Sequence, residues 1–137
     1  MTVRQLRERT AESEKITINL GYVDLGRIDL LVQEGFYSNR TDFIRTAIRN
    51  QLAGHSAEVS RSIDRHTLEL GLREYTAANL QAVRDAGERL HIKVVGLVRF
   101  ADDVSPELAR QTVASLTVLG ALQASPEVKA ILAERTT

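Results

Sequence analysis

The chain has 137 residues, 43% of them apolar, enough for one ordinary domain or two small ones and too apolar for wholesale disorder. Net charge is zero, from 18 basic and 18 acidic residues, so bulk charge gives no support to a polyanion partner and any such site must be local. The absence of cysteine excludes a disulfide framework and thiolate metal sites.

Residues 1–14 are polar and aperiodic. Their arginines, Arg4, Arg7 and Arg9, are diluted by Glu8, Glu12 and Glu14, so the segment reads as a flexible, weakly engaged arm. It contains no apolar run of the secretory type. The longest charge-free stretch, Gln111 to Pro126, is interrupted by polar residues and too short for a membrane span. A cytoplasmic protein without a membrane partner is expected.

Lys15 to Leu20, "KITINL", alternates polar and apolar as a half-buried strand does. Nothing in the next thirty or so residues looks like a strand to pair with it. From Val23 to Glu34 the residues Leu25, Ile28, Leu31 and Val32 share one helical face, and Gly35 ends the helix. After the turn "FYSN" a second helix runs from Arg40 to Ala53, with Phe43, Ile44, Ala47, Ile48 and Leu52 inward and Gly54 as its stop signal. Ser38 or Asn39 suits the N-cap, where a side-chain oxygen accepts from free first-turn amides. From Ser38 to Gly54 the charges are Arg40, Asp42, Arg45 and Arg49, a local basic excess. Residues 55–66 are a linker or a helix extension, and the domain boundary is placed there.

Residues 67–137 contain an internal repeat. "LTVLGALQASPEVKAILAER" echoes "IKVVGLVRFADDVSPELARQ", each a β-type run around a glycine followed by Ser-Pro-Glu and an amphipathic helix. Ser105 and Ser125 suit the N-cap, Pro106 and Pro126 the first helical position, and Glu107 and Glu127 the positive end of the dipole. A fainter copy surrounds Gly71, and the glycines at 71, 96 and 120 are 25 and 24 residues apart. Such a period belongs to strand–turn–helix units that bury a face only against neighbours. The expected fold class is therefore α+β, and self-association through this half is the physical expectation.

No enzyme chemistry emerges. His55, His66 and His91 show neither ligand spacing nor a carboxylate motif, and the glycines are single rather than clustered in a phosphate loop. No metal or other cofactor is expected.

The strand, the first helix with Ile28 and Leu31 inward, and "YSNRTDFIRTAIR" together resemble the ribbon-helix-helix family of bacterial DNA-binding proteins over residues 15–54. The resemblance implies that two chains pair their strands antiparallel and that this ribbon enters the major groove of double-stranded DNA. Alternation then assigns Ile16, Ile18 and Leu20 to the dimer core, with Ile28, Leu31, Phe43, Ile44 and Ile48 behind them. Lys15, Thr17 and Asn19 face base edges, where lysine suits guanine, asparagine suits adenine, and threonine suits a hydrogen bond or a thymine methyl. The start of the second helix matches the family's phosphate contact, which nominates Ser38, Asn39, Arg40 and Thr41. For Arg45 and Arg49 a salt bridge within or between subunits fits at least as well. The nickel-responsive members carry a C-terminal sensor domain. This chain departs from them in its few histidines and its lack of cysteine.

The reading is a sequence-specific transcriptional regulator, most simply a repressor, dimeric through its ribbon and joined into a higher homo-oligomer by its C-terminal half. Two rivals share the same DNA-binding part. One is an antitoxin with a toxin partner, against which stands the apolar, regular character of residues 67–137. The other is a polymerising scaffold anchored to DNA.

Overall fold

A computed structural model describes residues 12–137, which include six helices and three strands. The expected arm and its three arginines therefore lie almost wholly outside the described residues. The described chain divides into two compact units, Ser13–Ser62 and Ile63–Thr137.

The first unit begins with an extended segment through Leu20 and continues into helix α1, Tyr22–Gln33. The helix ends because Gly35 adopts a left-handed φ of +87°. That turn lets the Phe36 amide donate to the Leu31 carbonyl at 3.0 Å and the Gly35 amide to that of Val32 at 3.1 Å. Helix α2 spans Arg40–Gly54 and helix α3 Ser56–His66. The helix ends at Gly54, within a residue of the stop read there, but the glycine itself stays helical and the turn before α3 is made by His55, at φ −109° and ψ 13°. A glycine ends a helix when it turns left-handed, and Gly54 does not. Residues 56–66 are thus helix rather than linker, and the division between the units falls inside α3.

Thr67 follows α3 at φ +56°, with the Leu68 amide donating to the Ile63 carbonyl at 2.9 Å. This is the C-terminal turn that glycine usually makes, here imposed on a β-branched residue.

The second unit alternates strand and helix: β1 Glu69–Tyr75, α4 Ala77–Asp85, β2 Leu90–Phe100, α5 Pro106–Thr112, β3 Val113–Gln123 and α6 Pro126–Ala133. The strands form one parallel sheet in the order β1-β2-β3. Each helix has a side-chain cap. Ser105 accepts from the Leu108 amide at 3.1 Å and Ser125 from the Val128 amide at 3.2 Å. In α4 the same job falls to a reciprocal pair, Thr76 with Asn79.

The register aligns Gly71 with Gly96 and Gly96 with Gly120. All three have positive φ, between +123° and +140°. A Cβ on Gly96 would collide with the Gly71 carbonyl, and one on Gly120 with the Gly96 carbonyl. The backbones therefore approach through a ladder that only glycine permits. The helices cover one sheet face, where Leu80, Val94, Val98, Val113, Leu116, Val128 and Leu132 are almost wholly buried in one core. At the β3 edge the Thr137 amide donates to the Leu116 carbonyl at 3.0 Å, and the Leu116 amide to that of Arg135 at 3.1 Å.

Two outcomes are expected from denaturant unfolding of the full chain. Gly71→Ala should cost about 1–3 kcal/mol for its backbone conformation alone, and Gly96→Ala should cost more, since it adds a backbone collision. Equal losses would show that conformation, not close approach, sets the requirement. Thr67→Gly should instead stabilise by about 1 kcal/mol by relieving the left-handed threonine. A lower midpoint would refute that reading.

Candidate nucleic-acid interface

Lys15, Thr17 and Asn19 stand exposed on the extended segment, alternating with Ile16, Ile18 and Leu20. The segment pairs with no strand among the described residues, so within one chain it is not a strand. Its apolar side is as open as its polar side, with Ile16 73% exposed and Ile18 57% exposed. Such exposure is costly for alternate aliphatic residues, and their backbone groups have no sheet partner.

Behind the segment lies an open groove of about 380 Å³. Its walls are Ile18, Leu20, Ile28, Leu31, Phe43, Ile44, Ala47 and Ile48, with Asp24 and Arg27 at its margin. Seven of the eight residues read as dimer core line it; Ile16 does not. Only Ile28 is buried, and Ile48 and Leu52 are about half exposed or more. The unit has built the walls of a core and not its lid.

The start of α2 is fixed by two reciprocal bonds. The Asn39 side chain accepts from the Asp42 amide at 2.8 Å, so Asn39 rather than Ser38 is the N-cap. The Asp42 carboxylate in turn accepts from the Ser38 amide at 2.9 Å. The first-turn amides of Arg40 and Thr41 have no intrahelical acceptor and point from the positive end of the dipole. Tyr37 packs edge-on against Phe43, ring centroids 5.0 Å apart, and ties this turn to the helix.

Arg40 is engaged in a way that sequence reading missed. Its Nε and terminal nitrogen donate to the two Asp29 carboxylate oxygens, both at 2.8 Å, in a bidentate bridge from α2 to α1. The Arg40 hydrogen bonds hold the Asp29 carboxyl below its ordinary value, and Asp29 holds the guanidinium above its own. Both groups are about half exposed, so the bridge orients more than it stabilises. Arg40 also lines a shallow hollow with Asn19, which brings one base-reading and one phosphate candidate together. Arg45 and Arg49 are exposed and form no ion pair with another described residue.

Among the described residues no cluster of three or more His, Asp or Glu could hold a metal ion, and no helix is long and apolar enough to cross a membrane.

An extended amphipathic segment, two capped helices and a core left open on one side define a strand–helix–helix module. The chain belongs to the ribbon-helix-helix transcriptional regulator family, whose model matches residues 11–129 and so spans most of both units. It is thus placed among DNA-binding regulators, a class that is in general not enzymatic. Comparison with curated proteins and with solved structures returned no match.

The Asp29–Arg40 bridge has a pH signature. A carboxyl with a lowered folded pKa contributes stability above its unfolded value and loses it as pH falls through the folded one. The contribution of Asp29 is therefore complete at neutral pH and disappears in acid, below the ordinary carboxylate value of 3.8. Asp29→Asn should flatten that part of the acid limb of a stability-versus-pH curve. An unchanged acid limb would mean that the bridge does not persist in solution.

Proposed function

We propose that this chain is a sequence-specific repressor that works as a dimer and reads the major groove with a two-stranded antiparallel ribbon made from Lys15–Leu20 of both copies. The observation that carries the reading is the exposed, alternating segment without a partner lying over an open apolar groove. A second copy of the same segment satisfies its backbone and closes the groove in one step. Family membership supports the DNA-binding half of the reading.

In this arrangement Ile16, Ile18 and Leu20 turn inward, and Lys15, Thr17 and Asn19 meet base edges. A major groove about 12 Å wide admits such a ribbon. Phosphate is held by the α2 start, through the Arg40 and Thr41 amides and the hydroxyls of Ser38 and Thr41. Arg40 takes part only as far as its bridge to Asp29 leaves it free, so its main work is to set the α1–α2 turn. The C-terminal unit joins copies into a higher assembly. The extensive core of that unit counts against the antitoxin alternative, in which this half would fold only on a toxin.

The test separates reading from positioning. Asn19→Ala should cost about 1–3 kcal/mol on the operator and relax discrimination at one position of each half-site. Thr41→Ala should weaken operator and random DNA alike. Equal losses on both DNAs for Asn19→Ala would sink the base-reading assignment.

A further inference from the structure

The sheet of the second unit has two unlike edges. The start of the β3 edge is occupied by the chain's own Arg135–Thr137, which bond to Leu116 through the backbone and to Thr117 through a hydroxyl pair at 2.7 Å. The edge of β1 away from β2 pairs with no strand among the described residues. An open edge is a template for another strand unless lysine, proline or a bulge guards it. Strand β1 has neither lysine nor proline, and its register with β2 runs without a bulge.

Gly71 is a second sign of a missing neighbour. At Gly96 and Gly120 the place of a Cβ is taken by the carbonyl of the glycine on the preceding strand. Gly71 shares their backbone conformation, at φ +136°. Its bare side therefore faces the same way, out across the open edge, and meets nothing within 4 Å. The room that the ladder elsewhere gives to an approaching backbone is empty here.

We infer that β1 pairs antiparallel with β1 of a second copy about a two-fold axis through Gly71, joining two three-stranded sheets into one of six strands. The inference rests on the proposed assembly of copies through the C-terminal unit, and it names the surface that makes it. The residues of β1 select the register. Directly opposite residues of an antiparallel pair share a face, so a two-fold pairing centres on a residue. Centred on Gly71, Glu69 faces the partner's Arg73, Leu70 faces the partner's Leu72, and glycine faces glycine. Centred on Leu72, Leu70 would face the partner's Glu74. Centred on Arg73, arginine would face arginine, and centred on Leu70 neither charge would find its opposite.

Both faces of the strand gain in the chosen register. Tyr75 packs on the core, so Glu69 and Arg73, of the same parity, lie on the helix side, and Leu70 and Leu72 lie on the other. Glu69 and Arg73 already reach over Gly71 to each other, 3.4 Å apart. In the pair the two bridges close into a ring of four alternating charges around the axis. Leu70 and Leu72, 71% and 42% exposed, become leucine neighbours across it.

A parallel neighbour, β3 of another copy, would also lay a glycine carbonyl against Gly71. Continuing the ladder in that way sets Glu69 beside the partner's Val118 and Arg73 beside the partner's Leu122, both packed on the core beneath the helices. Two charges brought against apolar side chains disfavour it, as do the C-terminal residues already lying on that edge.

The absence of cysteine makes disulfide trapping clean. Opposed residues of an antiparallel pair have Cα atoms about 4.5–5.5 Å apart, within disulfide range. Full-length Leu70→Cys and Leu72→Cys proteins, one with a size tag, are mixed and oxidised mildly. The mixed disulfide should exceed either homodisulfide. Glu69→Arg in both chains should lower its yield about threefold or more, since two attractive pairs become repulsive. Glu69→Arg in one chain with Arg73→Glu in the other breaks the bridge inside each chain but restores both pairs between chains, and should recover the yield. No excess of mixed disulfide, or no recovery in that combination, overturns the inference. So does a preferred cross-link of Leu70→Cys to Leu119→Cys, which marks the parallel arrangement or stacked sheet faces. Sedimentation of the wild type judges the parent reading separately. An assembly above a dimer without the mixed disulfide keeps that reading and refutes the edge; the mixed disulfide in a chain that stays dimeric does the reverse.

Discussion

Burial of apolar surface is the constraint on which the rest of this molecule depends, because each half builds more apolar surface than it covers. In the first unit the two helices place Ile28, Leu31, Phe43, Ile44 and Ile48 around a groove, and only Ile28 is buried. Two helices and one extended segment are too few elements to enclose a core. The open groove is therefore a physical debt of the fold rather than an accident of one side chain. In the proposed dimer, chain folding and chain association are one event, and no stable folded monomer of this unit is expected.

The second unit meets the same constraint differently. Its helices bury a core in which Leu80, Leu132, Val98 and Val113 are fully enclosed. It can stand on that side alone. The glycine ladder fixes the strands in one register, since slipping a strand by one residue would bring a side chain against a carbonyl where only hydrogen fits.

The elements differ in how plainly the sequence announces them, and the reasons are physical. The alternation of KITINL announces an extended segment, which is what the chain forms there, but the pairing that would make it a strand involves nothing described within one chain. The glycines at 71, 96 and 120 are legible because the register repeats at their spacing, and Ser105 and Ser125 because a helix start needs an acceptor. Thr76 and Asn79 cap α4 just as well, but a search for Ser-Pro-Glu sees the motif and not the acceptor, and so undervalues the first unit of the repeat. The outer sheet face is illegible for a different reason. "IKVVGLV" is continuously apolar, as parallel strands are, so periodicity alone cannot say which residues face out. The Asp29–Arg40 bridge depends on the angle between two helices, which residue spacing does not contain.

That bridge bears on how such a regulator would divide its affinity. Phosphate binding scales with the cations that displace counterions, and a protein with six to ten such contacts loses roughly 10³–10⁵ in affinity on moderate salt addition. This chain has no net charge, and one of the three arginines between Ser38 and Gly54 is already engaged by Asp29. Few strong phosphate contacts means weak binding to random sequence, which favours discrimination. It also means that a single dimer starts from a low baseline. In the proposed repressor, dimers held side by side through their C-terminal units would gain affinity at adjacent half-sites by effective concentration. In that proposal the muted charge of the helix start fits a division of labour in which specificity comes from base edges and strength comes from number.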